Sequence, residues 1–480
     1  MTYLIEGNSY KPGIRMGSKW LVIILLSVVS RQSLFCSKKN TPFVPTDQLG
    51  IDNKWVYDTL KRYYYWADEI TGKPDYTLPT DQFFRKLLSA NDRFSWISDR
   101  STVGPSKTTA GLFGFQYSLI THPFDAQQLV GVITLVVPDS YAGRQQLKRG
   151  MFFSKINDKT ITPQNMQSLV TELQSNSSAV LRLAALNSDG TALIDSARVA
   201  FQSGYVDDKC VYATKLFEKQ GLKTGYLAYF LCSESEDVLM LEAIQKLKNS
   251  NVTELILDLR YNPGGSVASS AKLAVTLVPS FNPDQVYVTF KGNRNGGTIK
   301  QSFRQTIAFS GSNSGKDMNE LKSHNLGLQR VFILTSGATV SAAELLCNSL
   351  KPYLQVIRIG ATTHGKDEAS FLLEDTRNPR QVQWMMMPTI YKVFDANDRG
   401  GYSNGLQPDH VVNDFAQLPL SQDLGFPGDT SLDKALTLIY GSTQVGVTPL
   451  RQRTFQFSDI KSWYSSGAEV IPGVEMMRPR

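Results

Sequence analysis

Three apolar runs, each ending in a turn of small residues, constrain this chain most. Glu254-Leu-Ile-Leu-Asp-Leu-Arg260-Tyr-Asn-Pro-Gly264-Gly265-Ser266 is an apolar strand entering a Gly-rich turn, with a helix-like run after it. Val331-Phe-Ile-Leu leads through Thr335-Ser-Gly-Ala-Thr-Val-Ser341-Ala-Ala-Glu344 into an amphipathic stretch ending near Lys351-Pro352, which reads as strand, tight turn and helix with Ser341 at the helix start. Leu354-Gln-Val-Ile-Arg-Ile is followed by Gly360-Ala-Thr-Thr-His-Gly-Lys366, a lysine in a Gly-flanked loop. A serine at a helix start has amide donors and the positive end of the dipole beside it, so an anion formed on an attacked carbonyl would be received there. A lysine can serve as its base when burial lowers the pKa, and Ser–Lys pairing is a known variant of the serine-hydrolase arrangement. Alone, a serine at a helix start is usually an N-cap and a loop lysine usually a solvated side chain.

Together the segments resemble the carboxy-terminal processing peptidases, or tail-specific proteases. The family's Thr-Ala-Ser-Ala-Ser-Glu is matched by Thr339-Val-Ser341-Ala-Ala-Glu344, and its Gly-Glu-Lys-Thr-Phe-Gly-Lys-Gly by Gly360 to Lys366, with the family's usual spacing between serine and lysine. Its Leu-Asp-Leu-Arg-x-Asn-x-Gly-Gly is matched at Leu257 to Gly265, and its Gly-Ile-x-Pro-Asp-x-x-Val by Gly405-Leu-Gln-Pro-Asp-His-Val-Val412. The resemblance implies Ser341 as nucleophile and Lys366 as general base. It also implies an oxyanion hole from the Ala342 amide and a glycine amide of the turn; Gly264 and Gly265 stay open as alternatives. Glu344 lies one helical turn from Ser341 on the same face, either orienting the lysine or complementing the helix dipole.

Several positions depart from the family pattern, among them Gln145-Gln146 where Ala-Gly is usual and Phe35 where a small residue precedes the cysteine. Asp367 stands where glycine is usual, and a carboxylate turned inward there would keep Lys366 charged. Ser370 stands where some members place a glutamine that orients the lysine. Met151 replaces an aspartate, and His364 an apolar residue. A Ser-His-Asp reading through His364 finds no well-placed aspartate.

Upstream, Gly111-Leu112-Phe113-Gly114-Phe115 and Ala142 to Lys159 resemble a PDZ domain, in which an extended peptide adds to a sheet edge and backbone amides capture its terminal carboxylate. The expected fold is α+β and multidomain. Residues 1–36 are a leader and 37–104 a tether with a small helical region. A PDZ domain is expected at 105–197, an α/β serine protease domain of crotonase/ClpP-like type at 198–425, and an extension at 426–480.

Charge and cysteine usage exclude other classes. The net charge of +7 is dispersed without a basic stripe interleaved with aromatics, so nucleic acid is not an expected partner. The four cysteines show no Cys-x-x-Cys spacing, so neither zinc nor any other cofactor is expected; Cys210 and Cys232 are either free buried thiols or a disulfide. Arg15 and Lys19 precede Trp20 to Val29, an apolar run too short for the ~20 residues of a membrane span and suited to a signal-peptide core. Leu34-Phe35-Cys36 resembles a lipoprotein cleavage site with Cys36 lipidated, implying export to the cell envelope (periplasm or outer membrane) on a lipid anchor. The expected activity is an exported serine endopeptidase acting on proteins with unstructured, free C-termini. The alternative is a PDZ-based peptide-binding or scaffolding protein with weak or lost catalysis.

Overall fold

The structure, a computed structural model, describes residues 44–102, 108–204, 206, 209–308, 318–441 and 453–468. The expected leader and Cys36 lie outside the described residues. Among those described, no helix is long and apolar enough to cross a membrane.

The catalytic-type motifs sit on a six-stranded sheet in the order His410–Val411, Gln355–Gly360, Arg330–Thr335, Glu254–Asp258, Leu222–Tyr229 and Val211–Lys219. The first five run parallel and only the last pair is antiparallel. Strand order follows chain order, so right-handed crossovers all pass over one face. The strands alternate accordingly. Leu227, Leu255, Leu257, Val331 and Ile333 pack against the crossover helices Asp237–Asn249, Val267–Leu277 and Ala342–Ser349. Tyr226, Ala228, Ile256, Phe332, Leu334 and Ile359 turn the other way, onto Leu432, Ala435 and Leu436 of the helix Thr430–Tyr440. Burial on both faces explains why these strands read as continuous apolar runs.

Arg260 closes the bottom of the turn after Glu254–Asp258. It is fully buried and pairs with Asp258 at 2.7 Å, Asp429 at 2.8 Å and Asp414 at 3.0 Å. Asp429 also caps Thr430–Tyr440 and takes Arg149 from upstream at 3.3 Å.

A second, seven-stranded antiparallel sheet contains Phe115–His122, Asp125–Val136, Phe152–Ile156, Ser178–Leu186 and Leu193–Gln202, with Lys159–Thr160 paired to Phe152–Ile156. Its seventh strand is Ser462–Ser465, from the extension at the end of the chain, paired antiparallel to Phe115–His122. The Gly111-to-Phe115 segment, expected as a loop plus strand, instead begins as a short helix, Thr109–Phe113. Thr108 caps it by accepting the Gly111 N–H, Leu112 N–H bonds to Thr108 O, and Gly114 N–H to Ala110 O. The amides of Gly111, Leu112 and Gly114 are thus bonded within this turn.

The N-terminal helices Gln48–Tyr63 and Thr80–Leu87 are followed by strand Trp96–Asp99, which pairs with Trp384–Met387 and carries the preceding Arg93-Phe94 toward the lysine loop. Cys210, Cys232 and Cys347 are free and buried, so the disulfide alternative is not realised.

Candidate active site

The site lies beyond the C-terminal ends of the parallel strands, where turns from three neighbouring strands meet. The turn after Arg330–Thr335 is held from below by the one after Glu254–Asp258. Thr339 Oγ1 donates to Leu259 O at 2.8 Å, Ser336 Oγ to Arg260 O, and Val340 N to Asn262 O at 3.0 Å. From the other side, His364 N donates to Thr339 O at 3.0 Å and Thr335 Oγ1 to Ala361 O at 2.9 Å.

Ser341 is the N-cap of Ala342–Ser349 and sits at φ 59°, ψ −116°. A non-glycine residue in this region costs about 1–3 kcal/mol and persists only where its surroundings impose it. The strain turns the serine sharply between loop and helix while leaving it only 5% exposed.

Glu344 binds the two motifs together. Its Oε2 accepts Ser341 N and Lys366 N, each at 2.8 Å, and its Oε1 accepts Thr363 Oγ1 at 2.5 Å and Gly365 N at 2.6 Å. Burial pushes the Glu344 carboxyl upward, while these four donors pull it down. Burial wins, so the carboxyl stands above its usual range, and both oxygens remain engaged as acceptors.

Lys366 is 6% exposed, and burial brings it from 10.5 down to about 8, with Glu368 and Glu344 pulling upward against it. Its Nζ lies 5.1 Å from the Phe94 ring centroid. Arg93 fixes that ring's position by donating to Ser403 O at 2.9 Å and to Gly365 O. Asp367 turns to Lys392 instead, accepting from its Nζ at 2.8 Å, and Glu368 accepts from the same ammonium at 2.7 Å. The feared inward carboxylate is therefore neutralised by a second lysine. Ser370 Oγ is buried with no hydrogen-bond partner among the described residues, so it does not orient Lys366.

Gly264, at φ 99°, accepts no side chain: a Cβ there would sit 2.7 Å from Ser341 Cβ, 2.8 Å from Val340 O and 2.9 Å from Ala342 N. Its N–H is taken by Asn262 Oδ1 at 2.8 Å. Asn262 is held in turn by its Nδ2 on Tyr229 O at 3.0 Å. Gly265 N and Ala342 N donate to no acceptor among the described residues. Of the two glycines that the sequence left open, Gly264 has its N–H bonded to Asn262 and Gly265 does not.

His364 packs on Phe94 with ring centroids 5.9 Å apart, and burial followed by the Arg93 charge lowers its pKa. The charged groups acting on it are cations, the reverse of a Ser-His-Asp arrangement. Asn404-Gly405-Leu406 seals the lysine loop: Leu406 N donates to Thr363 Oγ1 at 2.7 Å and Thr363 N to Leu406 O at 3.2 Å.

Sequence reasoning missed Phe94, Arg93, Thr363, Asn262 and Lys392. Thr363 and Asn262 lie inside the motifs and were open to it, since polar side chains in tight turns bond nearby backbone. Phe94 and Arg93 come from a distant segment that carries no local mark of the role.

Residues 223–412 match Peptidase family S41, and residues 52–96 match the Peptidase S41 N-terminal domain. The carboxyl-terminal-processing protease of Picosynechococcus is 26% identical over 200 residues, 41% of this chain and 41% of that protein. The carboxy-terminal processing protease CtpA of Bacillus subtilis is 22% identical over 410 residues, 83% of this chain and 78% of that protein. The fold resembles the crystal structure of an S41 protease from Bacteroides fragilis NCTC 9343 at TM-score 0.64 and 23% identity, over 84% of this chain and 99% of that one. The chain carries the domains of peptidase family S41 and is a homologue of the carboxyl-terminal processing proteases.

Proposed function

We propose that the chain is a serine endopeptidase that uses Ser341 and Lys366 to cleave proteins presenting extended C-terminal segments. The observation that carries this reading is the Glu344 carboxylate, one oxygen of which holds the backbones of both residues. A buried lysine brought to about 8 is neutral in a useful fraction near physiological pH, as a general base must be.

In the proposed reaction, Ser341 Oγ attacks the scissile carbonyl and Lys366 Nζ takes its proton. The tetrahedral oxyanion rests on the N–H groups of Ala342 and Gly265. The Lys366 ammonium then protonates the departing amine, leaving an acyl-enzyme on Ser341. Water, deprotonated by the neutral lysine, releases the second product by the same path.

Phe115–His122 and its sheet are read as a PDZ domain that captures substrate by strand addition. Export through the residue 1–36 leader, with Cys36 as lipid attachment, completes the proposal and rests on the sequence alone. The test is labelling by a fluorophosphonate probe: the wild-type chain labels and Ser341→Ala does not. A wild-type chain that fails to label and fails to cleave unfolded proteins would favour a peptide-binding scaffold on the same fold.

A further inference from the structure

The edge of Phe115–His122 is already filled by the chain itself. Ser465 lies opposite Ser118, Tyr464 opposite Leu119 and Ser462 opposite Ile120, antiparallel. Side chains reinforce the pairing. Ser466 Oγ accepts the Tyr117 N–H at 2.8 Å, Trp463 Nε1 donates to Thr121 Oγ1 at 3.1 Å, and Thr121 N donates to Lys461 O at 2.9 Å. Tyr464 packs its ring 5.7 Å from that of Tyr117, against the core of this sheet. The segment runs toward the Thr109–Phe113 turn, the direction in which a peptide adding to this edge would point its C-terminus.

Beyond the strand, the segment reaches the turn that leads to Ser341. Ser466 and Gly467 are buried, and a Cβ at Gly467 would stand 2.7 Å from Gln116 Oε1 and 3.0 Å from Ala338 Cβ. Ala338 belongs to the Ser336-to-Ser341 turn, its N–H bonded to Ser336 Oγ at 3.0 Å. One short segment therefore touches both the docking edge and the loop of the proposed nucleophile.

We infer that Lys461–Gly467 is a built-in occupant of the peptide-docking edge, and that an extended peptide binds Phe115–His122 by displacing it. The occupant also specifies the ligand: an extended segment with an aromatic side chain at the position opposite Leu119, where it packs on the Tyr117 ring, and small residues after it. Because a competing peptide binds only the fraction of molecules with the edge open, apparent affinity falls in proportion to that fraction. The inference rests on the strand-addition part of the proposed function and not on its chemistry.

The experiment uses the full chain carrying Ser341→Ala, so that no peptide is cleaved, and a fluorescent peptide of residues 459–468 as probe. Tyr464→Pro removes an N–H and an aromatic anchor from the occupant and should tighten probe binding about tenfold or more by opening the edge. In a second variant, Ser118→Cys with Ser465→Cys places two thiols on directly opposed positions, within reach of a disulfide. The oxidised form should bind no probe, and reductant should restore binding. Equal probe affinity in the parent, the Tyr464→Pro chain and the oxidised lock would overturn the inference. Fluorophosphonate labelling of the same variants with Ser341 restored reports the chemistry separately, so loss of one reading does not imply loss of the other.

Discussion

Ser341 and Lys366 hang from a single oxygen atom: the backbone N–H of each donates to Glu344 Oε2 at 2.8 Å. The two amides are thus no more than two hydrogen-bond lengths apart, although 25 positions separate the residues. Glu344 holds the frame of the site and adds a negative charge that raises the lysine's pKa.

Glu344→Gln tests both effects. An amide in this place turns an NH2 group toward donors that need an acceptor, at a cost of about 1–3 kcal/mol for each group left unsatisfied. Melting temperature should fall, and kcat should drop at least tenfold with little change in KM. The second effect has a sign of its own. With the carboxylate gone, the lysine loses a charge that favours its protonated form, so the midpoint of the pH–rate profile should move below about 8. A midpoint that stays in place would leave Glu344 a purely structural clamp.

Ser341→Ala and Lys366→Ala should each reduce kcat/KM by about a thousandfold or more, and the double variant should be scarcely worse than either, because the two act as one unit. Hydrolysis of an unfolded protein substrate is the measurement. Substantial cleavage by Ser341→Ala would remove the nucleophile from the scheme.

Lys366→Met should stabilise the fold near neutral pH. The folded pKa of about 8 lies below the value of 10.5 for a free lysine, so the unfolded chain binds more protons between those limits. Stability held back by the lysine is therefore recovered as pH rises from about 8 to 10.5, and below pH 8 the full cost remains. At 1.36 kcal/mol per pKa unit, the gain from replacing it is on the order of 3 kcal/mol at pH 7. Denaturant melts should show that gain shrinking toward pH 10. A gain independent of pH would mean that packing, not charge, accounts for it.

What the sequence disclosed follows from how local the signals are. Ser341, Glu344 and Lys366 stand in or just after turns that follow apolar strands, and strand, turn and helix each leave a pattern in adjacent residues. The difference between Gly264 and Gly265 was hidden because both have positive φ and it is the Asn262 side chain that takes up the Gly264 N–H. The Thr109–Phe113 helix was read as loop because five residues carry no period; its Thr108 cap was the available sign. Strand Ser462–Ser465 was missed entirely, since edge pairing over several hundred positions leaves nothing in the segment to announce its partner.

Phe94 was hidden for the same reason, and it sets up the sharpest test of how the lysine is tuned. Its ring does two opposed things: it excludes water from Lys366, which favours the neutral amine, and its face attracts the ammonium from 5.1 Å, which favours the charged form. Cation–π attraction is worth about 0.5–2 kcal/mol. Burial is the largest influence on Lys366, and it outweighs two carboxylates to bring the group to about 8. Loss of the apolar wall should therefore win. Phe94→Ala should raise the midpoint of the acylation profile toward the ordinary lysine value of about 10.4 and lower the rate at pH 7 several-fold. Phe94→Leu, which keeps the wall without the π face, should hold the midpoint near or below that of the wild type. His364→Phe should leave the profile in place. A fall in the midpoint for Phe94→Ala would mean that the ring's face, not its bulk, governs Lys366.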